Sequence, residues 1–265
     1  MIDLLIQLMA TIFVAFAGYK LASLTRSGAI ATIIIGSVVS IGFGYKGLFL
    51  LGLFFASSSL WSKYKRAKKQ SLQNKVEKGE QRDIIQVFAN GGVAALASLL
   101  FVLTDSEIWI FFFISAIAAA NADTWASEIG TLSRKQPILL LPKLKRVEPG
   151  TSGAVSALGT FAGFAGSLVI TCSSYFIWPE VSIMVFIVLT LVGFLGNLID
   201  TILGASIQVV FKCSVCGIET EKTFHCNKET NYLKGVPFCN NDVINFASIL
   251  LAAILGTFFL NLFLG

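Results

Sequence analysis

This 265-residue chain has few charged residues. Only 13% of its residues are Asp, Glu, Lys or Arg, about half the share in soluble domains, whereas 55% are apolar. This shortage excludes a water-soluble domain. The net charge of +5 would suit a nucleic-acid partner, but membrane topology explains a basic excess equally well, so we expect membrane lipids and no nucleic acid as partners. A basic segment before the first apolar run is also missing, so we interpret that run as a retained span rather than a cleaved signal.

Long apolar runs, in contrast, are abundant. Eight spans of about 20 residues would take roughly 160 residues and leave about 105 for loops and termini, too few for a second soluble domain of ordinary size. We therefore predict an all-α fold over residues 1–265, a single polytopic membrane bundle of about eight transmembrane helices with short cytoplasmic loops. The second and third runs are short, and they are either half-helices or one broken hairpin. The predicted spans are residues 3–22, 28–44, 47–62, 84–103, 108–126, 154–178, 181–203 and 243–263.

The positions of the basic residues predict how these spans are oriented. With eight spans, 19 of the 20 Lys and Arg residues fall on the connections at one face, and only Lys46 falls on the other. Because short loops rich in Lys and Arg stay cytoplasmic, we predict a multi-pass plasma-membrane protein with this face inside and both termini outside. The basic run over residues 63–82 is interpreted as a solvated loop that contacts lipid headgroups.

Carboxylates within apolar runs form the first candidate site. Such a group costs about 2.5–3.5 kcal/mol on insertion scales, so it usually faces a polar cavity or a partner. The segment AANADTWASEIG places Asn121, Asp123, Thr124 and Glu128 at one predicted cytoplasmic helix end. Thr124 and Glu128 are four residues apart and therefore share a helix face. The alternative is that each carboxylate is only a solvated cap at the helix end.

A second segment repeats this pattern. GNLIDTILGASIQ carries Asp200, again followed by Thr, at the end of the seventh span and on the same predicted face. Mg²⁺ takes oxygen ligands from one or two carboxylates and from substrate phosphates. We therefore predict that Asp123 and Asp200 bind Mg²⁺ on a nucleoside triphosphate and that, with Glu128, they are the catalytic residues.

A turn and a polar helix face complete the predicted phosphate site. In EPGTSGAVSALGT, the turn Gly150, Thr151, Ser152 and Gly153 precedes a predicted helix, where backbone N–H groups and hydroxyls suit a phosphate. The alternative is ordinary N-capping followed by a small-residue packing face. Basic residues just upstream, Lys143, Lys145 and Arg146, can neutralise phosphate or anionic lipid. At the start of the fourth span, a polar stripe that we expect to meet the site is formed by Arg82, Asp83, Gln86 and Asn90.

Four of the five cysteines lie in one predicted cytoplasmic loop, residues 207–240. Cys213, Cys216, His225 and Cys226 supply four candidate zinc ligands, since a CxxC pair is common in structural zinc sites. Adjacent His225 and Cys226 are not expected to bind one ion together easily, and Cys239 is a possible substitute. Free cysteines in a polar loop are the alternative.

Several of these motifs, taken in order, resemble a known family. The motifs are SLTRSGAIAT, FFASSSLWSKYK, QVFANGG, NADTWASEIG, EPGTSGAVSALGT, IDTILGASIQ and NNDVINFAS. Together they look like the family of transmembrane protein 19 and plant phytyl-phosphate kinase. The resemblance implies an all-helical membrane enzyme that phosphorylates an isoprenyl monophosphate to the diphosphate with a nucleoside triphosphate. By motif matches it implies site roles for the residues named in the carboxylate segments and the turn, and also for Asn240, Asn241 and Asn245.

The residues and the resemblance support one hypothesis, a kinase of isoprenyl phosphates. The lipid tail would lie between helices while its phosphate emerges at the cytoplasmic surface, bound by the turn and by Asn90, Asn241 and Asn245. A membrane transporter or lipid flippase of unknown substrate is the alternative, because polar residues and broken helices also occur in transporters. A non-catalytic scaffold would leave the costly carboxylates unexplained.

Overall fold

A computed structural model describes residues 2–65, 79, 81–139 and 145–264. The described chain contains seven long helices, and each is long and apolar enough to cross a membrane. This confirms the predicted fold class, a helical membrane bundle. The helices are α1 (Ile2–Lys20), α2 (Arg26–Lys63), α3 (Ile84–Thr104), α4 (Ile108–Gly130), α5 (Ala157–Ile177), α6 (Ile183–Ser206) and α7 (Asn241–Leu264).

The longest helix, α2, reverses direction at Gly44. The backbone of Gly44 is non-helical, with φ of 56° and ψ of −143°, a left-handed conformation that glycine adopts without a Cβ clash. A Cβ on Gly47 would lie 2.7 Å from Cγ1 of Val39, although residues eight apart in a straight helix are separated by about 12 Å. The two arms therefore pack side by side as one broken hairpin. Each arm is roughly 27–29 Å long, enough for one pass, so the seven described helices include eight segments of membrane-spanning length.

The bundle has two unlike ends. At one end, which we call the loop face, the Nζ of Lys63 donates to the carbonyl of Leu21 at 2.6 Å. At the other end, the terminal face, the hydroxyl of Tyr45 donates to the carbonyl of Asp3. Among the described Lys and Arg residues, only Lys46 lies at the terminal face. The remaining residues of the predicted basic run, 66–78, and Lys143 lie outside the described residues. The loop face carries the described parts of the connections between helices, residues 21–25, 64–65, 81–83, 131–139, 145–156 and 207–240.

Helix α4 is the centre of the bundle, with every residue from Ile110 to Ala122 buried. Small residues allow its neighbours to approach closely. A Cβ on Gly166 of α5 would lie 2.9 Å from the carbonyl oxygen of Asn121, and one on Gly196 of α6 would lie 2.6 Å from the Cβ of Ala119. The predicted small-residue packing is therefore present, and it holds α5 and α6 against the helix that carries Asp123.

Short strands at the loop face were not predicted from the sequence. Strand β1 (Ile138–Leu139) pairs antiparallel with both β2 (Lys145–Arg146) and β3 (Ala154–Val155). The loop after α6 contains β4 (Val210–Lys212), β5 (Glu219–Thr220), β6 (Phe224–His225), β7 (Lys228–Glu229) and β8 (Asn231–Lys234). The second sheet has the order β5-β4-β8, and β6 and β7 form a hairpin. Because residues 154–155 pair with β1, the helix predicted to begin at residue 154 begins only at Ala157, after its N-cap Ser156.

Candidate functional site

A polar cavity of about 400 Å³ opens at the loop face, between the helix ends. Alternating helix direction explains its composition, because the C-terminal ends of α2, α4 and α6 and the N-terminal ends of α3, α5 and α7 all lie at this face. Free N–H groups and the positive end of the helix dipole make such N-termini favourable for anions. The predicted residues that line the cavity are Asn90, Asp123, Thr124, Glu128, Gly150, Thr151, Ser152, Gly153, Asp200, Asn241 and Asn245.

Asp123 and Asp200 face each other across the interface of α4 and α6, and their carboxyl groups are in direct contact. The hydroxyl of Ser248 donates to Oδ2 of Asp200 at 3.0 Å. In the orientation that satisfies its neighbours, the amide of Asn245 donates to the same oxygen at 3.1 Å and to the carbonyl of Asn241 at 3.2 Å. Two side chains of α7 therefore donate hydrogen bonds that hold the Asp200 carboxylate in place.

This pair fits a hard divalent cation. Two carboxylates in contact repel one another unless a cation or a shared proton lies between them. Both carboxylates offer oxygen ligands, and Thr124 and Thr201, the residues that follow them, also line the cavity. Two carboxylates leave coordination positions for water and phosphate, which is the usual arrangement for Mg²⁺ on a nucleotide.

Glu128 and Arg82 form the opposite wall. The hydroxyl of Ser62 donates to Oε1 of Glu128 at 2.6 Å. Arg82 Nη1 donates to the hydroxyl of Ser59 at 3.1 Å, and its guanidinium lies 5.9 Å from the ring centre of Phe55. Burial lowers the pKa of Arg82, and the negative charge of Glu128 opposes that shift. Since guanidinium groups stay protonated, Arg82 is a half-buried cation near the Glu128 carboxylate.

The turn over residues 150–153 lines the cavity but does not lead directly into a helix. Gly153 has a φ of 74°, and a Cβ there would lie 2.4 Å from the backbone nitrogen of Ala205. The Ser152 hydroxyl donates to Oε1 of Gln208, whose Nε2 donates to Oε1 of Glu221 at 2.7 Å. The turn therefore packs against and hydrogen-bonds to the C-terminal end of α6. The N-terminus of α5 beside it is capped by Ser156 rather than by Thr151 or Ser152.

Three predicted phosphate-site residues lie away from the cavity lining. Asn121 is fully buried between helices, where its Nδ2 donates to the carbonyl of Gly166 at 2.7 Å and its Oδ1 accepts from Ser57 at 3.1 Å. Lys145 and Arg146 form β2 and are exposed. The structure therefore gives Asn121 a packing role and leaves the two basic residues outside the cavity.

A second, apolar crevice of about 420 Å³ lies within the bundle between α1, the two arms of α2, and α3. Its lining extends from Tyr45, near the terminal face, to Phe55, a distance of about 15 Å along the second arm of α2. At the loop face it reaches Arg82, Gln86 and Asn90, which also line the polar cavity. These three residues therefore lie at the boundary between the polar and apolar spaces, which we call the junction.

The four predicted soft ligands come together in the loop over residues 207–240. The ligand atoms of Cys213, Cys216, His225 and Cys226 all lie within 4.8 Å of one another. Adjacent residues were not expected to bind one ion together easily, yet the side chains of His225 and Cys226 both reach the cluster. Cys239 is buried and lies outside it.

The thiols of this cluster differ in acidity. A hydrogen bond from the backbone of Cys216 is the main reason that the pKa of Cys213 is lowered to about 6. Desolvation, together with the neighbouring thiols, raises the pKa of Cys226 to about 11. Sulfurs this close cannot all be thiolates unless a cation compensates their charge.

Sequence reasoning missed several polar residues of the site. Ser62, Thr160 and Glu221 line the cavity, and Ser248 binds Asp200. Only Ser248 had a usable signal, since it lies three residues after Asn245 on the same helix face. The other three lie among many similar serines, threonines and loop carboxylates, so only the folded chain distinguishes them.

The chain belongs to the family described as integral membrane protein DUF92, whose model matches residues 9–253. It is similar to Protein PGR of Arabidopsis thaliana, 34% identical over 91% of each chain. A membrane protein of Methanocaldococcus jannaschii is 32% identical over 77% of this chain and 83% of its own length. Protein VTE6, chloroplastic, of Arabidopsis thaliana is 28% identical over 92% of this chain and 67% of its own length. These matches confirm the family that the motifs indicated, and no solved structure matches the chain.

Proposed function

We propose that this protein is a membrane phosphotransferase that converts an isoprenyl monophosphate, or a related lipid phosphate, to the diphosphate. The phosphoryl donor is a nucleoside triphosphate, ATP or CTP, with Mg²⁺, and the reaction occurs at the cytoplasmic face of the plasma membrane. The observation that carries this proposal is the junction, where Arg82, Gln86 and Asn90 line both the carboxylate cavity and the apolar crevice.

The crevice suits the lipid part of the substrate. Its lining is apolar over most of its length, with residues such as Ile35, Leu51 and Phe54. A hydrocarbon chain placed there exchanges lipid neighbours for apolar side chains, so the crevice positions the tail by packing rather than by removing it from water. The headgroup then lies at the junction, where the guanidinium of Arg82 can bind phosphate oxygens in a bidentate manner. An amphiphile with a long tail and an anionic head matches this shape.

The cavity suits the nucleotide phosphates. Asp123 and Asp200 would hold Mg²⁺, whose bound charge neutralises the phosphates during transfer. The N-terminal ends of α3, α5 and α7 add partial positive charge around the same space. The turn over residues 150–153 forms the wall nearest α6.

The reaction needs positioning more than acid–base chemistry. An oxygen of the lipid phosphate attacks the γ-phosphorus, a new P–O bond forms, and the bond to the β–γ bridging oxygen breaks, so that the nucleoside diphosphate leaves. A phosphate oxygen is already a nucleophile, so no side chain has to remove a proton. The role of the protein is to align the two phosphates and stabilise their charge, which is how most phosphoryl transfer is catalysed. Accordingly, the single histidine, His225, is not among the residues that line the cavity.

The depth of the site favours an enzyme over a transporter. Transporter sites usually lie near the bilayer midplane between discontinuous helices. Here Asp123 and Asp200 lie within about 10 Å of the loop-face ends of their helices. Below Asp123, the continuous buried stretch of α4 fills the centre of the bundle.

A transfer assay with purified protein tests the proposal. We expect radiolabel from the γ-phosphate of ATP or CTP to appear in a lipid diphosphate when isoprenyl monophosphates of different chain lengths are supplied with Mg²⁺. The matched control is the corresponding isoprenyl alcohol, which has the same tail without the phosphate and should accept no label. Absence of transfer to every monophosphate, with either nucleotide and with folded protein, would overturn the proposal.

A further inference from the structure

We propose that Cys213, Cys216, His225 and Cys226 bind one structural Zn²⁺ ion. The site lies in the loop over residues 207–240 and is separate from the carboxylate cavity. Three sulfurs and one imidazole are a soft donor set, which selects Zn²⁺ over the hard cations suited to Asp123 and Asp200.

The distances fit tetrahedral coordination. With Zn–S near 2.3 Å and Zn–N near 2.0–2.1 Å, the sulfur and nitrogen of two tetrahedral ligands lie about 3.6 Å apart. Nδ1 of His225 is 3.5 Å from Sγ of Cys216 and 3.2 Å from Sγ of Cys226. All four ligand atoms fall within 4.8 Å of one another, so small side-chain rotations suffice to place them around one ion.

The backbone of both turns presents the ligands. In the first turn, between β4 and β5, the N–H of Val215 donates to Sγ of Cys213 at 3.4 Å, a contact that stabilises thiolate. In the second, Cys226 and Asn227 join β6 to β7, and both have positive φ, 52° and 59°. Two-residue hairpins of this type favour Asn or Gly at such positions. A cysteine there is unusual, and its left-handed backbone lets consecutive side chains, His225 and Cys226, reach one point.

The site joins two parts of the loop that belong to different short sheets. It links the turn after β4 to the β6–β7 hairpin, two segments from different sheets. Between them lies Glu221, which accepts from Gln208, which in turn accepts from Ser152 of the cavity turn. The ion thus holds the loop that supports one wall of the cavity.

Elemental analysis of the full-length protein, purified without chelators and supplied with Zn²⁺, tests the site. We expect about one equivalent of zinc per chain in the wild type and its loss in Cys216→Ser and Cys226→Ser. Both cysteines are exposed, so these variants should still fold. The matched controls, Cys172→Ser and Cys239→Ser, remove cysteines outside the cluster and should keep the metal. His225→Cys preserves a four-ligand set and should also keep it, whereas His225→Ala should not.

A second measurement uses only the wild type. With zinc bound, the three cluster thiols should resist maleimide until a chelator is added, and the thermal midpoint should fall on chelation. Failure of the wild type to retain stoichiometric zinc, or equal retention in Cys216→Ser and the controls, would overturn the proposal. A disulfide between cluster cysteines in protein purified under reducing conditions would also overturn it. None of these readouts depends on phosphotransfer.

Discussion

The two faces of the bundle are built from the same helices but have opposite chemistry. At the terminal face, the rings of Phe43, Phe113 and Trp178 fill the space between helices, with centroids 4.6 Å apart for the two phenylalanines and 6.1 Å for Phe113 and Trp178. Ten residues after Phe113 on α4, about 15 Å away, Asp123 faces Asp200 in the open cavity. One end of the bundle is closed by aromatic packing, and the other keeps costly carboxylates, which indicates that the loop face carries the function.

The strongest test of this contrast is removal of one carboxylate at each face. Asp123→Asn and Asp200→Asn keep the side-chain shape but lose the charge that binds the cation, so we expect turnover to fall on the order of 10²-fold or more. Asp105→Asn makes the same change at the terminal face, at a left-handed residue where Asn is well tolerated, and should leave turnover unchanged. Initial rates of transfer, with elution profiles to verify folding, decide between these outcomes. Equal activity of all three variants would show that the cavity is not the active site.

The next test concerns the cation at the junction. Arg82→Gln removes the guanidinium but leaves the backbone hydrogen bonds that Arg82 makes with Ser23 and Thr25. We expect kcat/KM for the lipid phosphate to fall roughly 10- to 100-fold, which corresponds to about 1.5–3 kcal/mol for a hydrogen bond to a charged group. The KM for the nucleotide should change less. Lys46→Gln, which removes a cation at the terminal face, is the control, and a matching loss in that variant would contradict the assignment.

A smaller effect is expected from filling the crevice. A Cβ on Gly52 would meet no atom within 4 Å, so Gly52→Leu should fold and project into the space we assign to the lipid tail. We expect the KM for a long isoprenyl monophosphate to rise about five- to tenfold because the tail loses room. A short-chain monophosphate serves as the internal control and should be affected less. If the KM rises equally for the long and the short monophosphate, the crevice does not hold the tail.

The smallest effect should come from the exposed strand β2. Lys145→Gln and Arg146→Gln remove charges that lie outside the cavity lining, where solvent and salt screen their interactions with a bound phosphate. We expect kcat/KM to change by less than about twofold at physiological ionic strength. Measurement at low and high salt checks this, since a residual electrostatic contribution would appear only at low salt. A tenfold loss of kcat/KM at both salt concentrations would show that Lys145 and Arg146 belong to the phosphate site.

Much of the site could be predicted from the sequence because isolated polar residues are conspicuous in apolar spans. Asp123, Glu128 and Asp200 were identified in this way, and the structure places all three in the cavity. The same argument was insufficient for Asn121, because a buried amide satisfied by Ser57 and a backbone carbonyl looks no different in sequence from a ligand-binding amide. The strands β1 to β8 were missed because most contain only two residues, too few for a periodic pattern.

By itself the sequence determined the membrane class, the helical fold and the clustering of the charged residues in a few connections, because these depend on hydropathy and on the order of residues along the chain. The tertiary structure decided which polar groups meet. Asp123 and Asp200 are distant in sequence, and the close approach of α6 to α4 at Gly193 and Gly196 brings them into contact. It also decided that Arg82 lies where the carboxylate cavity meets the apolar crevice, since that position depends on how α3 packs against the broken hairpin at Gly44.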